Sequence, residues 1–259
     1  MTTVTFVFFL IFGAIIGSFL NVFIIRHNTG RSLRGRSACA SCGEKLLWYE
    51  LIPVASFFML RGKCRACKSR ISPQYPLVET TTAIAFLLIG NNFLSGLISA
   101  ERIVFSLYEM VLWALLIAIS TYDIRHKIIP NGPVYAFIGL SALSLFGFLD
   151  GWGTFLFSHF FAGIGLALFP ATAWFLSRGR WMGLGDAKVL LGAGFLLGPA
   201  LGISALVYAF WIGAIVSLFL LSTRGKEFTM KSEIPFGPFI VLGMAIAYFL
   251  NLDLFSFLL

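Results

Sequence analysis

Apolar runs of about 18 or more residues recur along this chain, and each is long enough to cross about 30 Å of hydrocarbon as a helix. The first reads "VTFVFFLIFGAIIGSFLNVFII", Val4 to Ile25. The composition agrees: 59% hydrophobic and 12% charged residues, with a mean hydropathy of +0.92. Such a balance excludes an ordinary soluble domain and points to an integral membrane protein. The first run has no basic segment before it and no small-residue cleavage site after it, so it reads as a retained span rather than a removed signal peptide.

The net charge of +8 is confined to a few places. Apart from Arg102, every Lys and Arg lies in Arg26–Arg70, Arg125–Lys127, Arg178–Lys188 or Arg224–Lys231. Basic loops on one side of a bilayer mark its cytoplasmic face, so the charge reads as topology and not as a nucleic-acid surface. Spans are expected at about 4–25, 77–98, 103–121, 131–149, 155–176, 187–198, 200–222 and 236–258. Residues 187–222 as one helix would be about 54 Å long, more than a bilayer needs. Gly198-Pro199 offers the break, because proline disfavours helix at the residue before it. An even number of spans in this region keeps all the basic stretches inside and both termini outside. The fold expected is an all-α polytopic membrane protein of about eight transmembrane helices, with a small cytoplasmic insert between the first two. The divisions are a first helix over 1–26, the insert over 27–76, and a bundle over 77–259. The outer loops "SAER" and "DGWG" are short, which places the chemistry inside.

All four cysteines lie in the insert. Cys39 and Cys42, then Cys64 and Cys67, form two C-x2-C pairs separated by 21 residues, slightly more than is usual for this pattern. Each pair can present two thiolates to one metal from a tight turn, and two such turns complete a tetrahedral site. Gly43 permits the turn, and Lys45, Lys63 and Lys68 offset the charge of a four-thiolate zinc centre. The alternative is two disulfides, which a reducing compartment disfavours. A closed four-sulfur site has no open position, so the zinc would be structural and would hold together an insert with little core of its own.

Few acids fall near the inner ends of the spans: Glu79, Asp123, Asp186 and Glu233. Asp123 lies in "STYDIRHKIIPN" and Asp186 in "GLGDAK", 63 residues apart but at the same interface. Two carboxylates close together cannot both ionise cheaply, so a pair tends to share one proton. One then serves as general base for a water and the other donates to a carbonyl oxygen, which is aspartic-protease chemistry without a cofactor. Gly183 and Gly185 would leave room for a substrate backbone beside Asp186. The plainer alternatives are Asp186 as a helix N-cap and Asp123 neutralised by Arg125 or Lys127.

With these residues assembled, the sequence resembles the bacterial prepilin peptidases, the type IV leader peptidase family. The resemblance runs through "GAIIGSFLNVFIIR", the C-x2-C pairs, "WYELIPVASFFMLRGKC", "YPLVE", "YDIRHKIIPN", "GLGDAK" and "IPFGPF". It departs after "YPLVE", where "TTTAIA" replaces a leucine-rich run. The resemblance implies an intramembrane aspartic protease of the inner membrane, with Asp123 and Asp186 catalytic. It implies prepilin or pseudopilin substrates cut on the cytoplasmic side, after a glycine that follows a basic leader. It also implies methylation of the new N-terminus with S-adenosylmethionine, which members carrying the cysteine insert generally perform. Glu79 is the candidate for that step, in contact with cofactor or amine, or else an interfacial anchor for an insert arginine. The basic leader would meet Glu44, Glu50 or the site acids.

Asn21 and Ser18 are polar at membrane depth and read as bundle-facing. His27, His126 and His159 form no ligand set, and His126 beside Asp123 either tunes it or is a solvated loop residue. Other readings are a peptidase without the transfer step, or a transporter with a zinc-stabilised domain. Against transport, no acid at the membrane midplane and no inverted repeat are evident.

Overall fold

The computed structural model describes residues 3–29, 32, 35–94, 99–146, 154–223 and 234–254. These form the helices α1 (Thr3–Arg26), α2 (Ala55–Met59), α3 (Gln74–Leu94), α4 (Ala100–His126), α5 (Asn131–Leu143), α6 (Thr154–Ser177), α7 (Leu184–Thr223) and α8 (Gly237–Phe249). Short 3-10 turns cover Trp48–Leu51 and Ser144–Phe146, and the described residues contain no strand. Four helices are long and apolar enough to cross a membrane: Thr3–Arg26, Ala100–His126, Leu156–Ser177 and Leu184–Thr223. Residues Asn131–Phe146 and α8 are apolar but shorter. The basic stretch Arg224–Lys231, the loop "DGWG" and Glu233 lie outside the described residues.

The chain divides into two compact units, Met1–Ala118 and Ile119–Leu259, with the division inside α4. In the first, α1 and α3 pack antiparallel along a seam of small residues. A Cβ on Gly13 would lie 2.7 Å from the Ala83 Cα, and one on Gly17 would lie 2.7 Å from the Glu79 Cα. Gly13 and Gly17 thus act as a G-x-x-x-G pair, which lets two backbones approach where hydrophobic burial alone would give no preference. Asn21, fully buried, points across this seam: its Nδ2 donates to the Tyr75 carbonyl at 3.1 Å, and Gln74 donates to its Oδ1 at 3.4 Å. Glu109, nine residues into α4, is only 6% exposed. No acid is evident at the membrane midplane from sequence, and Glu109 is a buried acid within a long apolar run; one such residue does not disturb the average by which a span is recognised.

In the second unit α7 is the central element, packed on α5, α6 and α8. It breaks where proline requires. Gly198 has φ 71° and ψ −169°, far from helix, and Pro199 has no N–H to give the carbonyl of Phe195 four residues earlier. That orphan carbonyl is buried, and two side chains satisfy it. Ser144 donates to it at 3.0 Å, and His159 Nδ1 lies 3.1 Å away, which fixes the Nδ1–H tautomer because a carbonyl only accepts. The His159 ring occupies the space a side chain at 198 would need.

The last helix is shorter than expected. It stops at Phe249 instead of reaching 258, because Asn251 adopts φ 49° and the chain turns back onto α7. Leu254 N–H donates to Ser204 Oγ at 3.0 Å, and the Tyr208 hydroxyl to the Leu252 carbonyl at 3.5 Å. Similarly, α5 is helical only to Leu143 before tightening into its 3-10 turn, whereas α4 runs on to His126 and carries Asp123 within its last two turns.

Candidate active site

Asp186 is the third residue of α7, in "GLGD". Its Oδ2 accepts the N–H of Gly183 at 3.2 Å, and its own N–H returns to the Gly183 carbonyl at 3.2 Å. Gly183 is therefore the residue that caps the helix. Asp186 is the acid of the first turn reaching back to it, the acidic half of a capping box. This differs from the simple N-cap alternative and leaves the second carboxylate oxygen free of that duty.

Asp123 meets a different helix start. The first N–H groups of α8 have no partner within their own helix, and Pro238 has none to offer. Gly237 N–H donates to Asp123 Oδ2 at 3.1 Å across 114 residues of sequence. A Cβ on Gly237 would stand 2.7 Å from that oxygen, so only glycine admits the carboxylate. Each acid thus rests on the positive end of a helix, where an anion is favoured.

Between them the chain is drawn tight. After α4, Lys127 turns with φ 54° and donates its N–H to the Asp123 carbonyl at 2.7 Å. Ile129 then lies on α7, where a Cβ at Gly185 would be 2.8 Å from its own. Gly185 is consequently small for packing, and not, as expected, to admit a substrate backbone. Lys188 fastens the same corner from the other side, donating to Asn131 Oδ1 at 2.8 Å with its Nζ 4.8 Å from the centre of the Tyr135 ring. The result places Asp123, 5% exposed, and Asp186, 7% exposed, near enough for their charges to interact directly. Among the described residues no ion pair joins Asp123 to Arg125 or Lys127, and His126 is exposed against the Tyr122 ring at 4.4 Å. Two buried carboxylates near enough for one charge to be felt at the other disfavour double ionisation, so one of them tends to keep its proton.

The four cysteines come together in the first unit. Their sulfurs lie within 4.8 Å of one another, with Cys39 and Cys67 at 3.8 Å. A tetrahedral zinc with bonds of about 2.3 Å has sulfurs about 3.8 Å apart, whereas a disulfide requires about 2.05 Å. The set therefore fits a metal such as zinc. The two halves repeat one geometry: Gly43 N–H returns to the Cys39 carbonyl at 2.9 Å with φ 73°, and Lys68 N–H to the Cys64 carbonyl at 3.0 Å with φ 59°. The N–H groups of Cys42 and Ser41 draw the Cys39 thiol down to about 6 and the Ser69 hydroxyl lowers Cys67, while, against the Glu44 N–H, the neighbouring sulfurs push Cys42 up to about 11. These three thiols thus hold their protons unevenly, Cys39 and Cys67 being the first to lose theirs.

Glu79 lies in the first unit, and among the described residues no ion pair joins it to an arginine. Its Oε2 accepts the Val54 N–H at 2.6 Å, and the Ser18 hydroxyl bonds to it as well. Val54 has φ 61°, a strained conformation for a β-branched residue, which this bond holds in place. Glu50 is buried, taking the Leu47 N–H at 2.7 Å and Arg65 at 3.2 Å. Gly237 is the residue that sequence reasoning missed; its only local sign is a glycine directly before a helix-starting proline in "PFGPF".

Apolar helices of membrane length, two buried acids and a four-cysteine cluster narrow the possibilities, and comparison with known proteins gives the family. Residues 11–93 match the Bacterial Peptidase A24 N-terminal domain, and residues 110–218 the Type IV leader peptidase family. The prepilin leader peptidase/N-methyltransferase of Bacillus subtilis (strain 168) is 33% identical, over 95% of each chain. The type 4 prepilin-like proteins leader peptide-processing enzyme of Escherichia coli O78:H11 is 32% identical, over 89% of this chain and 88% of the relative. A Pseudomonas aeruginosa relative named prepilin leader peptidase/N-methyltransferase is 28% identical over 92% and 88%. No solved structure matches the chain with comparable significance. The chain belongs to the type IV leader peptidase family, and it is a peptidase.

Proposed function

We propose that this chain is an aspartic endopeptidase of the inner membrane that removes the basic leader of prepilins or pseudopilins after glycine, with Asp123 and Asp186 as its catalytic pair. The observation that supports this most is the pair itself: two buried acids, 63 residues apart in sequence, each with Oδ2 on a helix-start N–H. A backbone N–H only donates, so those oxygens are bare and the Oδ1 oxygens are left for the reaction. The ionised partner takes a proton from water as its oxygen attacks the scissile carbonyl. The protonated partner gives its proton to the carbonyl oxygen, forming a neutral tetrahedral diol. The diol collapses, its proton passes through the pair to the departing amine, and the shared proton is restored.

The basic stretches support a cytoplasmic site, with about eight crossings and both termini periplasmic. In this reading residues 27–76 are a cytoplasmic insert whose Cys39, Cys42, Cys64 and Cys67 hold structural zinc, between a first helix over 1–26 and a bundle over 77–259. The names of the relatives support a second step, N-methylation of the new N-terminus with S-adenosylmethionine. Glu79, 6% exposed and engaged by Val54 and Ser18, is the candidate residue for that step, in contact with cofactor or amine, and it also fixes the turn at Val54.

The test is cleavage of a synthetic prepilin with a Lys-rich leader and a Gly-Phe junction by purified protein, with products weighed and S-adenosylmethionine present. Wild type should cut after glycine and add a methyl mass. Asp123→Asn and Asp186→Asn should each abolish the cut while the protein stays folded. Retained cleavage in either variant refutes the assignment.

A further inference from the structure

The cysteine-bearing region carries an apolar surface that the described residues of its own unit leave open. Trp48 is 77% exposed, Phe58 69% and Met59 67%, beside the exposed Leu51 and Ile52. These belong to one packed feature, the 3-10 turn Trp48–Leu51 set against α2. Glu50 fixes which way the turn faces. Its buried carboxylate is tied inward to Leu47 and Arg65, which leaves its neighbours Trp48, Leu51 and Ile52 pointing out.

The depth of this feature follows from its tether. Val54, directly before α2, is bonded at 2.6 Å to Glu79. Glu79 lies five residues inside α3, about 7.5 Å along its axis. The Glu79 Cα packs where Gly17 leaves space on α1, nine residues or about 13 Å before that helix ends at Arg26. The start of α2 is therefore held below the ends of the two helices that carry it, level with their inner turns. An amphipathic segment at a bilayer surface lies about 5–10 Å into the headgroup boundary. Charge agrees with the placement. Arg61 and Lys63 follow α2 directly, and Lys45, Lys68 and Arg70 lie in the same region. The only acids in residues 27–76 are Glu44 and Glu50, and Glu50 is already paired with Arg65. Apolar residues backed by unopposed cations match an anionic lipid surface.

We propose that residues 48–60 lie in the headgroup layer as an interfacial anchor for the four-cysteine region, Trp48, Phe58 and Met59 seated among lipid chains and Arg61 and Lys63 on anionic headgroups. This goes beyond the peptidase reading and does not depend on the acid pair. The test uses full-length, zinc-loaded protein in nanodiscs of phosphatidylethanolamine and phosphatidylglycerol. Benzoylphenylalanine replaces Phe58, or Lys45 in a control, and the photoproducts are weighed. Position 58 should yield single-phospholipid adducts several-fold above position 45. A yield no higher than at 45, or adducts at 58 mainly to a second copy or to another part of the same chain, overturns the anchor. With Arg61→Gln and Lys63→Gln the lipid yield at 58 should fall in anionic discs and not in zwitterionic ones; equal losses in both overturn the headgroup contact.

Discussion

Gly237→Ala places a methyl group where Asp123 keeps its carboxylate. The new Cβ would stand 2.7 Å from Oδ2, 3.4 Å from Cγ and 3.5 Å from the Asp123 Cβ, and these three atoms are its nearest neighbours. Relief requires the carboxylate to retreat by about 0.7 Å, which carries the 3.1 Å bond from the Gly237 N–H beyond useful hydrogen-bond range. A hydrogen bond to a charged group contributes about 1.5–3 kcal/mol. If that difference falls on the transition state, kcat drops about 10- to 150-fold at 1.36 kcal/mol per decade. The prepilin cleavage assay should show this fall in kcat with KM little changed, since Gly237 touches the acid and not the substrate. Stability gives a separate reading. Alanine before Pro238 has its own backbone cost, but that cost appears equally with Asp123 and with Asp123→Ala. A double-mutant cycle on thermal unfolding should therefore leave a coupling between the two positions of about 1 kcal/mol or more. A kcat within twofold of wild type, together with no coupling, refutes the positional argument. Coupling without loss of kcat keeps the contact and removes Asp123 from the chemistry.

Chelation, or Cys39→Ser, should release one metal per chain and lower the unfolding temperature of the protein, read by metal analysis and calorimetry; protein without metal that melts unchanged refutes the structural role. Lys68→Gly relieves the φ of 59° at the second cysteine turn and should be neutral or stabilising by up to about 1 kcal/mol, with metal content unchanged. Ser144→Ala with His159→Phe should destabilise by about 1–3 kcal/mol in denaturant unfolding, because the Phe195 carbonyl is left buried without a donor, and Ser144→Ala alone, which keeps the His159 bond, should cost less.

What was legible in the sequence and what was not divide along a physical line. The break in α7 was readable because its cause is local: a proline removes one N–H wherever it stands, and Gly198-Pro199 marks the place. The cysteine cluster was readable for the same reason, since a C-x2-C turn brings its own geometry. That Asp123 and Asp186 come near one another was expected from their places at the ends of two apolar runs. Their supports were not. Gly237 reaches Asp123 across 114 residues, and Ile129 reaches Gly185 only once α4 has turned back at Lys127. Nothing nearby in sequence announces either contact. Glu79 shows the same limit. An acid at a helix end reads as a partner for a cation, yet here it holds a strained Val54 N–H, which no pattern of residue types could suggest. The ends of α5 and α8 were overextended because hydropathy continues past the residues at which the backbone stops being helical.

The interruption at Gly198 divides more than a helix. Asp186 stands on the segment before it, fastened to α5 through Asn131 and Lys188. The donor that holds Asp123 stands on α8, which packs on the segment after it, Gly243 against Ala205 and Phe239 against Gly213. Asp123 itself is tied to the first arm, through the Lys127 turn and Ile129 against Gly185, so its bond from Gly237 is the link that spans the joint. A change of angle at that joint would bear on the Gly237–Asp123 bond and leave Asp186 with its Gly183 partner undisturbed, so the two acids differ in how strongly the shape of α7 governs them.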